Sequence, residues 1–157
     1  MKKVQLASAL MVLLLMAGVC AADTNIPVGQ TGTVDNWEIK VISFVPDATQ
    51  QIAAENMFNP KPAAGGQYCM VYLEAKNVGD KEESFNSGNL HLVGASLMVY
   101  DTPIMLVVPD AMPSNQAFPG GILRDDIGFD VSSSDIGSLR LYYEPMFSSD
   151  KTYFDLS

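Results

Sequence analysis

The sequence predicts an all-β protein in which two antiparallel sheets pack together as a sandwich. From residue 26 onward, short apolar runs are separated by turns rich in Gly, Pro, Asn and Asp, and no long stretch has a helical period. The 157 residues are 48% hydrophobic and only 17% charged, which is enough apolar surface for one buried core. No internal repeat divides the sequence. We therefore expect a single domain.

A segment typical of a secretory leader precedes this domain. Two lysines near the N-terminus are followed by an apolar run over residues 6–19 and then by small residues. That order is the order of a signal peptide, which we predict over residues 1–21. The small residues place the cleavage between Ala21 and Ala22. The mature domain would then span residues 22–157.

Cys20 leaves a second interpretation of the leader open. Lipoproteins keep a cysteine as their first mature residue and carry lipid on it, but the residue before Cys20 is Val19 rather than a small one. A third interpretation is an uncleaved anchor, although the apolar run is shorter than the ~20 residues that a membrane helix requires. No later segment has such a length and apolar character. We expect a soluble mature domain without a transmembrane segment.

The charge of the chain restricts its partners. Cleavage after Ala21 would remove two lysines and no acidic residue, so the formal net charge would move from −9 to −11. Such a surface repels nucleic acids and anionic membranes, which we exclude as partners. Cys69 would be the one cysteine left, so the fold must be held by its core rather than by an intramolecular disulfide.

The first half of the domain contains three predicted strands and one long connection. The first two strands are expected over residues 26–34 and 37–45, and the far end of the second should be covered on both sides because apolar residues occupy both of its faces. In the connection over residues 46–66, Asp47 is expected to cap a helical turn. The third strand, residues 67–77, turns four residues toward the core: Cys69, Val71, Leu73 and Ala75.

The second half continues the same pattern of short strands. Phe85, Leu90 and Leu92 are expected in the core, and residues 97–100 read as a further strand. A second long connection follows over residues 101–119, and its apolar run 104–108 has no clear place. The last two strands are expected over residues 138–144 and 151–156. Before them, one further strand is expected to bring four more residues to the core: Leu123, Ile127, Phe129 and Val131.

The order of these features resembles a known family. An N-terminal "IPVGQTGTVDNWEIKVISF" is followed by "GGQYCMVYLEAKNVGDKEESFN", "NLHLVG", "FPGGILRDDIGFDV" and a closing "LRLYYEP". This order resembles the telokin-like, immunoglobulin-like extracellular domains of prokaryotic exported proteins and lipoproteins. The resemblance implies an immunoglobulin-like sandwich of about 7 or 8 antiparallel strands, similar in fold to a secreted immunoprotective antigen. The family is largely of unknown function, so it implies no catalytic residues and no cofactor.

Hydrolytic and copper chemistry both lack the residues they need. The one histidine, His91, lies between Leu90 and Leu92, so alternation turns it outward as an exposed surface residue, whereas Cys69 belongs to the inward set. We therefore predict no catalytic Cys–His pair and no enzyme. A cupredoxin site needs two histidines. A Cu(I) site would depend on methionines that have no close spacing and that we expect to fill core and loops: Met57, Met98, Met105, Met112 and Met146.

Four aspartates are the remaining candidates for binding a cation. Asp125, Asp126 and Asp130 lie on one predicted strand and Asp135 in the turn after it, but no calcium-loop pattern is present. Asp126 and Asp130 are four positions apart, roughly 13 Å along a strand, which is too far to share an ion. Asp125 falls on the core-facing set, so it should mark a bulge or pair with an arginine, Arg124 or Arg140. We predict no metal site.

The function that these patterns favour is that of an exported, non-catalytic interaction module. Its partner would be an unidentified protein or envelope component, secreted or extracytoplasmic like the module itself. The recognition loops would be residues 47–66 and 101–117, placed at the ends of the sandwich. A small-ligand or cation-binding protein of the envelope, with calcium or copper as the cation, is the alternative. A structural protein without a specific ligand is a third.

Overall fold

The structure is a computed structural model and describes residues 25–146 and 151–157. The predicted signal peptide, Cys20 and the bond between Ala21 and Ala22 lie outside the described residues. The described residues form eleven strands and one α-helix, in the order β1 (Asn25–Pro27), β2 (Thr31–Val34), β3 (Trp37–Val45), α1 (Thr49–Glu55), β4 (Gly66–Asn77), β5 (Glu83–Ser84), β6 (Leu90–Val93), β7 (Val99–Tyr100), β8 (Gln116–Ala117), β9 (Ile122–Ser132), β10 (Arg140–Tyr143) and β11 (Thr152–Asp155).

Nine of these strands form the two sheets of a sandwich. One sheet has the order β1-β11-β10-β6-β7 and the other β2-β3-β4-β9, while β5 and β8 form a small ribbon. Every pair is antiparallel except β1 with β11. Buried side chains from both sheets meet between them, among them Ile39, Cys69, Phe129, Leu141 and Phe154. The predicted all-β immunoglobulin-like sandwich is therefore confirmed.

The first predicted strand is wrong as a continuous element. Gly29 has φ of 87°, a left-handed conformation that favours glycine, and its N–H donates to the carbonyl of Val41 at 2.8 Å. The chain turns at this point and passes from one sheet to the other. Residues 25–27 pair with β11, and residues 31–34 pair with β3.

The prediction for β4 is confirmed, because all four residues of its inward set are buried. Its pairing with β9 runs from Gly66 opposite Ser132 to Lys76 opposite Ile122 without a register shift. The pairing of β4 with β3 does shift, between Val41 and Ser43. This bulge leaves Phe44 packed on the main core and Val45 on a second cluster, so the far end of β3 is covered on both sides, as predicted.

The second apolar cluster covers part of the outer face of the four-stranded sheet. It consists of Ala48, Ile52, Tyr68, Met70 and Val108, with Val45 and Leu106 packed against it. A glycine makes room for this cover, since a Cβ at Gly128 would lie 2.7 Å from Leu106 Cδ2 and 3.2 Å from Ile52 Cδ1. The helix and the loop around Leu106 therefore form a lid on the sheet.

Both long connections differ from their predicted position. They contribute Ile52 and Val108 to the lid on the outer face, rather than standing only at the ends of the sandwich. The predicted strand 97–100 is reduced to Val99–Tyr100 because Leu97 has φ of 61° and is exposed. The apolar run 104–108 forms no strand. Within the described part of the chain, no helix is both long and apolar enough to cross a membrane.

Candidate functional site

Asn59 joins the two long loops through one side chain. Its Nδ2 donates to the carbonyl of Val107 at 2.8 Å, and its Oδ1 accepts the N–H of Val107 at 2.9 Å. The same Nδ2 donates to the carbonyl of Ile52 at 2.6 Å. That carbonyl belongs to the last turn of α1, where no helical N–H follows to bond it. The side chain of Asn59 thus bonds the last turn of the helix and fixes the second loop to the first.

Two adjacent aspartates hold the second loop against β9. Asp125 Oδ1 accepts the N–H of Met112 at 2.8 Å, and Asp126 Oδ2 accepts the N–H of Asp110 at 3.2 Å. Asp126 also donates its own N–H to the carbonyl of Asp110 at 3.1 Å. Neighbouring side chains of a strand point to opposite faces of the sheet, so Asp125 and Asp126 bond the loop backbone on opposite faces of β9.

Burial decides the ionisation of this pair. It raises the pKa of Asp125 to about 6, although the N–H of Met112 favours the charged form, and the nearby Asp126 adds to the increase. Burial also raises the pKa of Asp126, helped by Asp110 and opposed by the Asp110 N–H. The expected bulge or arginine partner of Asp125 is wrong, since the register is continuous there and the carboxylate bonds the loop backbone instead.

The two arginines predicted as its partners are engaged elsewhere. Arg124 Nε lies 2.7 Å from Glu74 Oε1 on the neighbouring strand. The guanidinium of Arg140 lies over the ring of Tyr153, 4.9 Å from its centre, which is a cation–π distance.

The loops joined at Asn59 carry a group of exposed apolar side chains, which we call the loop patch. It consists of Met57, Phe58, Ile104, Met105 and Val107, and the first four are 83–91% exposed. All five lie within three residues of the hydrogen bonds between Asn59 and Val107, a reach of roughly 10 Å along the chain. Large side chains this exposed on a fixed backbone are unusual in a monomer and typical of a contact surface.

A cleft of about 590 Å³ opens beside the patch, between α1 and the segment that follows it. Its apolar lining includes Ala53, Met57 and Pro60. Tyr68 lies at its base, where its hydroxyl donates to the carbonyl of Pro60 at 3.1 Å and its N–H donates to Thr49 Oγ1 at 3.1 Å. Lys61 is the one charged residue among those that line the cleft.

The other predicted cation ligands serve the local structure. Asp130 Oδ2 accepts the N–H of Ala63 at 2.8 Å. Asp135 accepts hydrogen bonds from the hydroxyl and the N–H of Ser96 and from the hydroxyl of Tyr100 at 2.7 Å. These bonds, the one from the Ser96 hydroxyl most of all, lower the pKa of Asp135. Among the described residues, no group of three or more His, Cys, Asp or Glu side chains could hold a metal ion.

The structure does not bring His91 and Cys69 together. His91 faces outward as predicted but is half-buried rather than exposed, because its Nδ1 lies 2.6 Å from Asp101 Oδ1 and its ring packs 5.2 Å from that of Tyr142. Cys69 is fully buried in the other sheet, and burial raises the pKa of its thiol to about 12. A thiol in this environment is unreactive.

The methionines were expected to fill core and loops, and the structure places one of the five candidates against the core and four in loops or turns. Met112 packs against the main core, but four of the five are exposed: Met57, Met98, Met105 and Met146. Sequence reasoning also missed Asn59, Lys61 and Gly128. An Asn between a large apolar residue and a Pro is a signal for a side chain that bonds backbone, but its partner lies 48 positions away.

The chain matches no protein-family model and no curated protein sequence. Several solved structures share its fold. MPT63, a secreted protein of Mycobacterium tuberculosis, has a TM-score of 0.63 at 13% identity over 85% of this chain and 99% of that one. A functionally unknown protein of Listeria monocytogenes has a TM-score of 0.56 at 12% identity over 83% and 82%.

A longer protein shows the same likeness over part of its length. A lipoprotein candidate from Bacillus subtilis has a TM-score of 0.56 at 15% identity, covering 80% of this chain but 37% of that one. The chain thus spans little more than a third of that protein. At identities this low, the structural likeness shows a shared fold and nothing more. Membership of the telokin-like family stays a prediction.

Proposed function

We propose that this protein is an exported, non-catalytic interaction module that docks a partner protein through the loop patch. The observation that carries the proposal is a group of exposed apolar side chains on loops that hydrogen bonds hold in place. The side chains are Met57, Phe58, Ile104 and Met105, and the hydrogen bonds join Asn59 to Val107. Exposed side chains on a mobile loop would lose conformational entropy on binding. Here the junction fixes the backbone in advance, which reduces that cost.

An extracytoplasmic location fits this role. The predicted leader would deliver the domain across the membrane. Among the proteins of the same fold, one is a secreted protein and one a lipoprotein candidate. The buried thiol of Cys69 and the half-buried imidazole of His91 give no support to a hydrolytic activity.

The charge of the molecule narrows the class of partner. The net charge of the exported chain would be −11, and Glu55 and Asp110 lie close to the patch in sequence and are exposed. We expect the partner to be a protein whose surface is apolar at the centre and basic at the rim. Binding should therefore weaken as the salt concentration rises.

Affinity capture with three immobilised chains tests the proposal. The wild type would be compared with Phe58→Ser combined with Met105→Ser, and with Leu97→Ser combined with Met98→Ser as the control. The control removes another exposed apolar pair, with Leu97 78% and Met98 61% exposed, from the turn before β7. We expect one basic protein of the secreted or envelope fraction to be retained by wild type and control and lost from the patch variant.

Each capture would be run with calcium and with a chelator. A protein retained equally by all three chains would contradict docking at the patch. Retention that required calcium would also contradict it, because the patch has no cation ligands, and would direct attention to the acidic residues.

A further inference from the structure

The cleft beside α1 differs in charge from the rest of the molecule. Acidic side chains outnumber Lys and Arg by 18 to 9 in the whole chain, yet the one charged residue lining the cleft is Lys61. Among the described residues, no carboxylate lies within ion-pair distance of its ammonium. A cation without a partner in an otherwise acidic protein favours an anionic ligand at this point.

The cleft has the size and lining of a ligand site. Its volume of about 590 Å³ lies within the ~300–1,000 Å³ typical of pockets that hold small molecules. Ala53, Met57, Pro60 and Pro62 provide apolar walls. The tyrosine at the base has its hydroxyl already bonded, so it adds apolar surface rather than a free donor.

The cleft offers a ligand one cation and few neutral donors. The amide nitrogen of Asn59 is occupied by the carbonyls of Ile52 and Val107. The hydroxyl of Thr49 accepts the N–H of Tyr68 and the amide oxygen of Asn56 accepts the N–H of Phe58, so the O–H of Thr49 and the amide nitrogen of Asn56 are the neutral side-chain donors left in the lining. Lys61 can pair with only one of the two charges of a phosphate dianion, and the net negative charge of the protein would repel a dianion twice as strongly as a monoanion. The site therefore suits one negative charge on a mostly apolar body.

We propose that this cleft binds an aliphatic carboxylate, with its chain against the apolar walls and its carboxylate on the ammonium of Lys61. Each methylene that enters the cleft should tighten binding by about fourfold, which corresponds to the transfer of one CH₂ from water. This site shares Met57 with the loop patch but differs from the proposed docking surface, since Phe58, Ile104 and Met105 do not line the cleft.

Calorimetric titration with dodecanoate below its micelle concentration tests the site. The exported chain would be compared with Lys61→Gln, and with Lys81→Gln as a matched control at another exposed lysine that pairs with no carboxylate of the described residues. We expect saturable binding that weakens about tenfold in Lys61→Gln and is unchanged in Lys81→Gln. Dodecanol should bind more weakly than dodecanoate, and Lys61→Gln should not affect it.

A bulky substitution tests where the chain of the ligand lies. Ala53 is exposed on α1, so Ala53→Trp should leave the fold intact while it fills the cleft and abolishes binding. Absence of binding to the wild type would overturn the proposal, as would binding that persists in Ala53→Trp or falls equally in both lysine variants. The Phe58→Ser and Met105→Ser variant should still bind dodecanoate. A failure of docking and a failure of ligand binding can thus be told apart.

Discussion

Asn59 is the side chain on which the arrangement of both loops depends. Replacement by Ala would leave the carbonyls of Ile52 and Val107 and the N–H of Val107 without their partner. Because Asn59 is half-buried, water can replace only part of what is lost. We expect Asn59→Ala to lower the free energy of unfolding by about 1–3 kcal/mol in urea titrations.

A second asparagine provides the control for this variant. Asn36 makes one exposed side-chain hydrogen bond, to Glu83 at 2.6 Å, so Asn36→Ala should cost less than about 0.5 kcal/mol. Equal costs for the two variants would contradict the special role of Asn59.

Asp125 and Asp135 should affect stability with opposite dependence on pH. The pKa of Asp125 is raised from 3.8 to about 6, so the folded state holds a proton that the unfolded state releases. Its contribution is present below pH 3.8 and is lost as the pH rises toward 6. The pKa of Asp135 is lowered, so its contribution is present above pH 3.8 and is lost as the pH falls through the lower, folded value.

Asparagine at each position separates these two effects. Asp125→Asn keeps an acceptor for Met112 and should match or exceed the wild type at pH 7, with the difference disappearing near pH 4. Asp135→Asn should be less stable at pH 7, and its deficit should shrink at acidic pH. Urea unfolding from about pH 2 to pH 8 measures both, because the Asp135 effect is lost only below its unfolded pKa of 3.8. Parallel pH profiles for the two variants would show that the assigned environments are wrong.

At the scale of elements, the lid on the outer face is expected to open independently of the sandwich. Its cluster is small, and α1 has seven residues, too short to be stable alone. Ile52→Ala removes its fully buried centre, a change that costs about 2–5 kcal/mol where the surroundings cannot collapse. We expect faster hydrogen exchange at the backbone amide of position 52, which bonds the carbonyl of Ala48, and little change in β4.

The same substitution at an exposed position is the control for this experiment. Ile122, at the start of β9, is 48% exposed, so Ile122→Ala should leave exchange in α1 unchanged. If Ile52→Ala accelerated exchange in α1 and β4 by the same factor, the lid would be part of the global folding unit.

The elements also show which features the sequence can predict. Alternation along residues 67–77 correctly assigned the inward face of β4. The strand lies between β3 and β9, so every second side chain points into the main core. Alternation could not show that Tyr68 and Met70 are buried as well. Their cover comes from Ile52 and Val108, and a pattern along one strand carries no information about a distant loop.

The candidate site depends on the same kind of distant contact. The long loops and their exposed apolar content were visible in the sequence, and so was the buried position of Cys69. The junction of Asn59 with Val107 was not, since it spans 48 positions. The split of the first strand at Gly29 was missed because both halves fit one alternating pattern.

At the scale of the whole molecule, we expect the main core between the two sheets to make unfolding cooperative without help from a disulfide. Cys69 lies in that core, on β4 between β3 and β9, and is 0% exposed. Burial raises the pKa of its thiol to about 12, so the reactive thiolate is scarce at pH 8 while the core stays closed. In a chain cleaved after Ala21 it is the single cysteine, so its reaction with a thiol reagent reports on one position.

We expect Cys69 in the folded chain to react only when the whole sandwich unfolds. Its labelling by an aromatic disulfide reagent at pH 8 should be slower than that of a free thiol by orders of magnitude, and should accelerate with urea in parallel with global unfolding. Ile52→Ala should speed this labelling only as far as it lowers global stability, because the lid covers the other face of β4. Fast labelling that did not respond to urea would mean that the two sheets separate locally, and that the core is not a single cooperative unit.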